Sequence, residues 1–174
     1  MVFSKGTKKF VIALGGSIIC PKEIDVDFLR SFWAFLKKEI KKGKKFVIVA
    51  GGGNIAREYQ KAASKITRVS NEDKDWIGIH ATRINAHLLR VIFQKEAHPV
   101  VVDKRFKIKS FGKYSVLIVS GWRPGCSTDY DAIQMGVDLG IKEVIILGKP
   151  AYVYTNNPDK DKKAKPIKVL GWKE

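Results

Sequence analysis

Twice in this chain an apolar, β-rich run stops abruptly in glycines. Phe10-Val11-Ile12-Ala13-Leu14 ends in Gly15-Gly16-Ser17, and Phe46-Val47-Ile48-Val49-Ala50 ends in Gly51-Gly52-Gly53-Asn54. An amphipathic helical pattern follows each turn. A buried strand, a glycine turn and a helix start bring several unpaired backbone N–H groups together, and an anion can sit on them. Glycine suits the position because a Cβ would hold the ligand off the backbone and forbid positive φ angles. Two such cradles in a small chain imply two phosphate groups held near each other, as phosphoryl transfer requires. The plainer reading, a tight strand-to-helix turn, explains one cradle better than it explains two at corresponding positions.

Side chains near the second cradle could complete an anion site. Arg57 lies one helical turn after Gly53, so its planar fork can reach back to a phosphate on the glycines. A surface pairing with Glu58 is the alternative. Asp75 could accept hydrogen bonds from ribose hydroxyls, or simply stabilise a helix N-terminus. Gly121-Trp122-Arg123-Pro124-Gly125-Cys126-Ser127-Thr128-Asp129 is a turn-rich loop suited to nucleobase and phosphate contacts, with Thr128 and Asp131 resembling a capping box. His80, His87 and His98 have no ligand spacing, and no residue is assigned to a metal.

Two common nucleotide motifs fit poorly. Gly51-Gly52-Gly53-Asn54-Ile55-Ala56 formally matches G-x-G-x-x-A, but that fingerprint expects an acid closing the next strand. Asp73 and Asp75 instead lead into a helical pattern. No G-x-x-x-x-G-K-[ST] is present, which excludes a P-loop.

The elements that must position these residues alternate. Strands are expected at 10–14, 46–50, 99–102, 115–119 and 144–147 from their β-branched runs. A helix capped by Asp25 should carry Val26, Leu29, Phe32, Leu36 and Ile40 inward and end at Gly43. Further helices are expected at 55–66, from 71 to about 92, and at 128–139, the last closed by Gly140. Residues 160–168 read as polar and irregular. This order predicts an α/β fold, a three-layer sandwich with a mostly parallel central sheet covered on both faces. Ligands in such sheets gather at the carboxyl ends of strands, where both glycine turns fall.

Composition bounds the rest. The 174 residues suffice for one domain with a real core, and 45% hydrophobic content argues against disorder. No apolar run is long enough to span a bilayer, and the N-terminus lacks a signal-peptide pattern. Cys20 and Cys126 form neither a CxxC nor a Cys/His cluster. A cytoplasmic protein is expected. The 33 basic residues against 17 acids give a net charge of +16, a field that attracts nucleotides, phosphates or nucleic acid. No aromatic-interleaved basic stripe accompanies it, so the lysines read mainly as solvated faces and helix ends, and nucleic acid is not an expected partner.

Read together, these segments resemble the UMP kinase (uridylate kinase) branch of the amino acid kinase family, in its archaeal form. The carrying residues are Ala13 to Ser17, Val49 to Arg57, Asp75 to Ala86, Gly121 to Asp129, and Tyr152-Val153-Tyr154-Thr155 leading to Pro158. The resemblance implies transfer of the γ-phosphate of ATP to UMP, with Mg²⁺ screening the phosphates. It implies that Gly15, Gly16, Ser17, Lys149 and Tyr154 serve ATP, and that Gly52, Gly53, Arg57, Asp75, Ser127 and Thr128 hold UMP. Asp129 and Arg57 would act in catalysis. Such chemistry needs positioning and charge neutralisation more than covalent steps. The family also implies a homo-oligomer, hexamer or dimer.

Three departures stand beside this. Ala13 occupies a position that is often lysine. Gly148, Lys149 and Ala151 stand where relatives usually carry a hydroxyl, an Asn and an Asp on the ATP side. Relatives also continue past the equivalent of Glu174, so residues 1–174 are expected to form a single domain that lacks its C-terminal part. A second reading follows, in which the chain is a non-catalytic nucleotide-binding or regulatory protein with a degenerate ATP site.

Overall fold

Four short strands pair side by side in one direction. They are β1 (Lys9–Leu14), β2 (Lys45–Ala50), β3 (Val116–Val119) and β4 (Val144–Leu147), in the order β3-β2-β1-β4. The computed structural model describes residues 7–149 and 152–168. Helices α1 (Gly16–Ile19) and α2 (Val26–Lys41) connect β1 to β2. Helices α3 (Gly53–Ile66) and α4 (Asn71–Phe93) precede β3, and α5 (Thr128–Leu139) links β3 to β4. None of these helices is long and apolar enough to cross a membrane.

The period-two geometry of the strands divides the core into two layers. Phe10, Ile12 and Leu14 face the same side as Phe46 and Ile48, and pack with Leu29, Phe32 and Leu36 of α2 and Leu89 and Phe93 of α4. Val11, Ala13, Val47 and Val49 face the other side, against Ala132 and Met135 of α5. Each fully buried Val, Leu, Ile or Phe contributes about 1.5–3 kcal/mol, which is why these strands are apolar on both faces. The result is the expected α/β sandwich with a parallel central sheet. Coverage is incomplete at β4, however, where Ile145 and Ile146 are exposed.

Local expectations hold where a single residue decides them. Asp25 caps α2 by accepting from the Phe28 N–H, and Gly140 closes α5 in the left-handed region at φ 64°. Others fail for identifiable reasons. Residues 99–102 form no strand. Pro99 has no N–H to donate, and the segment touches β3 only through isolated bridges of Ala97 and Val102. The helix opened by Gly16 lasts four residues, because Cys20 precedes Pro21 and takes an extended backbone at φ −140°, ψ 81°. Residues 160–168 are not wholly irregular either. Pro166–Ile167 (β6) pairs antiparallel with Val153–Tyr154 (β5), across a turn that Asp161 organises by accepting from the Asn156 amide and the Lys163 N–H.

Candidate functional site

The two glycine turns meet backbone to backbone at the carboxyl ends of β1 and β2. A Cβ on Gly16 would lie 1.9 Å from the Gly53 nitrogen, and one on Gly51 would lie 2.3 Å from the Gly16 nitrogen. Gly53 also has φ 69°. The glycines therefore do two things: they leave N–H groups at helix starts, and they let the turns interlock. Asn54 ties the turns together by donating its N–H to the Cys20 carbonyl at 2.9 Å.

Asn85 fixes the second turn from behind. Fully buried on α4, it donates its side-chain N–H groups to the Gly51 and Gly52 carbonyls at 2.7 and 3.2 Å. In a trans peptide the carbonyl and the following N–H point in opposite directions. Holding these two carbonyls aims the N–H groups of Gly52 and Gly53 away from Asn85. The sequence reading gave this residue no role, although a polar side chain among Ile79, Ala86, Leu89 and Phe93 on the buried face of a helix was the available signal.

Beside this turn lies a cavity of about 270 Å³. Gly52, Gly53, Arg57, Asp75 and Thr128 all line it, so five residues widely separated in sequence share one site. Arg57 forms no ion pair among the described residues, and the alternative pairing with Glu58 is not made. Arg123 lines the same cavity and adds a second guanidinium, its Nε donating to Cys126 Sγ at 3.1 Å. Gly121 is held against α4 by its N–H, which donates to Thr82 Oγ1 at 2.8 Å. Two guanidinium groups, backbone N–H groups and one carboxylate suit a ligand with a phosphate at one end and hydroxyls at the other.

Two assignments change in detail. Ser127, expected to touch substrate, is the N-cap of α5, its hydroxyl accepting from the Tyr130 N–H at 3.2 Å. The expected Thr128–Asp131 capping box does not form, which leaves Thr128 facing the cavity. Asp75 does not point only at a ligand. One of its oxygens accepts from the Gly125 N–H at 2.8 Å, pinning the β3–α5 loop to the start of α4.

Asp131 is instead buried inside α5, with one carboxyl oxygen lacking any hydrogen-bond partner among the described residues. Burial pushes its pKa up from 3.8 to about 7, against a smaller opposing pull from Arg123. Asp129 is exposed in the first turn of α5, next to Thr128.

The first turn is built differently. The Gly15 N–H donates to the Leu147 carbonyl at 2.7 Å and so is not available to a phosphate. Gly16 and Ser17 open α1, where the first N–H groups of a helix have no intrahelical partner. Lys149 is exposed two residues beyond β4. Tyr154 lies on the β5–β6 ladder, and neither residue lines the 270 Å³ cavity. Ala151 lies outside the described residues. Among them, no cluster of three or more His, Cys, Asp or Glu side chains could hold a metal ion.

Paired glycine turns on a parallel sheet, with an arginine-lined cavity beside one of them, accompany a direct family match over residues 8–174. The chain belongs to the amino acid kinase family. It is 34% identical over 163 residues to a uridylate kinase of Thermococcus sibiricus, covering 91% of this chain and 70% of that protein. A uridylate kinase of Pyrococcus abyssi is 32% identical over 168 residues, covering 95% and 73%. The crystal structure of uridylate kinase from Archaeoglobus fulgidus superposes with a TM-score of 0.77 at 30% identity, over 90% of this chain and 71% of that one.

Proposed function

We propose that the chain is a UMP kinase, moving the γ-phosphoryl group of ATP onto the phosphate of UMP to give ADP and UDP. The observation that carries this reading is the cavity joining Gly52, Gly53, Arg57, Asp75 and Thr128. The uridylate kinase relatives agree with it. In this reading the N–H groups of Gly52 and Gly53, with Arg57, hold the UMP phosphate. Arg57 and Arg123 neutralise its charge so that one oxygen can approach the transferred group. The free oxygen of Asp75 takes the ribose hydroxyls, and Thr128 meets the base or phosphate.

On the donor side, the N–H groups of Gly16 and Ser17 would receive ATP, with Lys149 and Tyr154 flanking. Mg²⁺ screens phosphate charge in such reactions and binds largely through phosphates and water, needing only one or two carboxylates. Asp129 is the exposed carboxylate beside Thr128 that would serve it. The same reading puts the enzyme in the cytoplasm as a homo-oligomer. Two apolar grooves on the helical layer support assembly, one holding Leu29, Trp33 and Ile92 and the other Tyr59, Trp76 and Ile84.

A coupled assay with UMP, CMP and other acceptors, in ATP and Mg²⁺, tests the proposal. ADP release that depends on UMP is expected. A second reading, a nucleotide-binding protein without catalysis, is favoured by Gly15 donating to Leu147 and by the exposed isoleucines of β4. Measurable UMP binding without ADP release from any acceptor would replace the first reading by the second.

A further inference from the structure

The opposite end of the sheet contains an internal comparison. Four lysines begin β1 and β2, two on each face, and each pair stands over one phenylalanine ring. On one face Lys8 and Lys44 lie 5.2 and 5.6 Å from the Phe10 centroid, and both are neutralised, Lys8 by Glu143 and Lys44 by Glu39. On the other face Lys9 and Lys45 lie 6.0 and 5.5 Å from the Phe111 centroid. The parallel register sets these two directly beside each other. Neither has a carboxylate partner among the described residues; Lys45 only donates to the Gly112 carbonyl at 3.3 Å.

Like charges on paired residues repel, so an arrangement without an acid implies an anion from elsewhere. The space for it exists. Lys9 and Lys45 join Lys109, Ser110 and Thr7 around a cavity of about 580 Å³. That volume is of small-ligand size. We propose that this cavity binds a small multivalent phosphate anion, at a site separate from the glycine turns. Separation follows from strand length: β1 runs from Lys9 to Leu14, so about 20 Å of extended backbone divides the two sites. A single-stranded nucleic acid fits less well. It would use exposed aromatic faces for stacking, and the one aromatic residue lining the cavity, Phe111, is buried.

Inorganic tripolyphosphate is the probe, titrated into the full chain with affinity measured by calorimetry and position by backbone amide shifts. Amide shifts at Phe111 and Gly112 are expected. Lys9→Gln with Lys109→Gln should weaken binding at this site about tenfold, as expected for lost charge-assisted contacts. Lys8→Gln with Lys41→Gln removes the same charge elsewhere and should leave that affinity nearly unchanged. Both pairs replace exposed lysines, so folding is not at issue. Equal losses in the two double variants would show a diffuse field and overturn the site. Absence of shifts at Phe111 and Gly112 would overturn it as well. Tighter binding of a short single-stranded RNA, lost in the Lys9/Lys109 variant, would replace the small anion with nucleic acid.

Discussion

The turn after β1 and the turn after β2 have nearly the same local sequence and quite different surroundings. Behind the β2 turn stands Asn85, which holds two carbonyls. Before it open Arg57, Arg123, Asp75 and Thr128. The β1 turn has instead a four-residue helix and an edge strand whose Ile145 and Ile146 are exposed, and its first N–H is taken by Leu147. A glycine turn supplies N–H groups, but the neighbouring elements decide how many of them face a ligand and what charge accompanies them.

The strongest way to break this comparison is to separate the turns. Gly16→Ala sets a Cβ 1.9 Å from backbone on both sides of the contact, with no flexible side chain able to yield. A loss of about 3 kcal/mol or more in denaturant unfolding is expected. Near-native stability would mean that the two turns can move apart.

Arg57→Ala sharpens the difference between the turns. Losing a charge-assisted contact to phosphate should weaken UMP binding by roughly 2 kcal/mol, or about thirtyfold, by calorimetry. Ser17→Ala at the other turn should leave UMP affinity close to that of the parent chain. Unchanged affinity in Arg57→Ala would remove the acceptor site from the β2 turn.

Buried polar groups extend the contrast, since Asn85 has two carbonyl partners and Asp131 has an oxygen with none. With its pKa raised to about 7, Asp131 binds its proton more tightly in the native state than in the unfolded chain. Its contribution to stability is therefore present below about pH 4 and lost progressively as pH rises through about 7. Asp131→Asn should raise the thermal midpoint at pH 8, on the order of 5 °C, with little change at pH 5. Equal effects at both pH values would show that titration is not responsible.

The smallest effects separate two adjacent hydroxyls. Ser127→Ala should cost about 1 kcal/mol of stability through the lost cap and change UMP affinity little. Thr128→Ala should do the reverse. Identical behaviour would mean that the cap and the ligand contact cannot be told apart.

Much of the fold was legible because strand and helix patterns act over short distances. The run from Thr128 to Gly140 marked α5 to the residue, and the apolar runs marked all four strands of the main sheet. Failures came where a local rule met a competing one. Pro99 removed a donor from a β-branched run, and Pro21 stopped α1. Ser127 took the cap because it lies one residue ahead of the helical backbone that Thr128 begins. The site was legible through its glycines, Arg57, Asp75 and Thr128. Asn85, Arg123 and the unpaired state of Asp131 were not, because a partner distant in the chain leaves no trace in local spacing.

By itself, then, the sequence determined the alternation of strands and helices, the two glycine turns and the strong positive charge. Each follows from a residue's own backbone preference, its hydrophobicity or its ionisation. Only the tertiary structure decided that the two turns interlock and that Asn85 aims the second. It also decided that one lysine pair at the far end of the sheet has acids and the other has none. These are questions of which groups meet across tens of residues, and packing and register settle them where local propensity cannot.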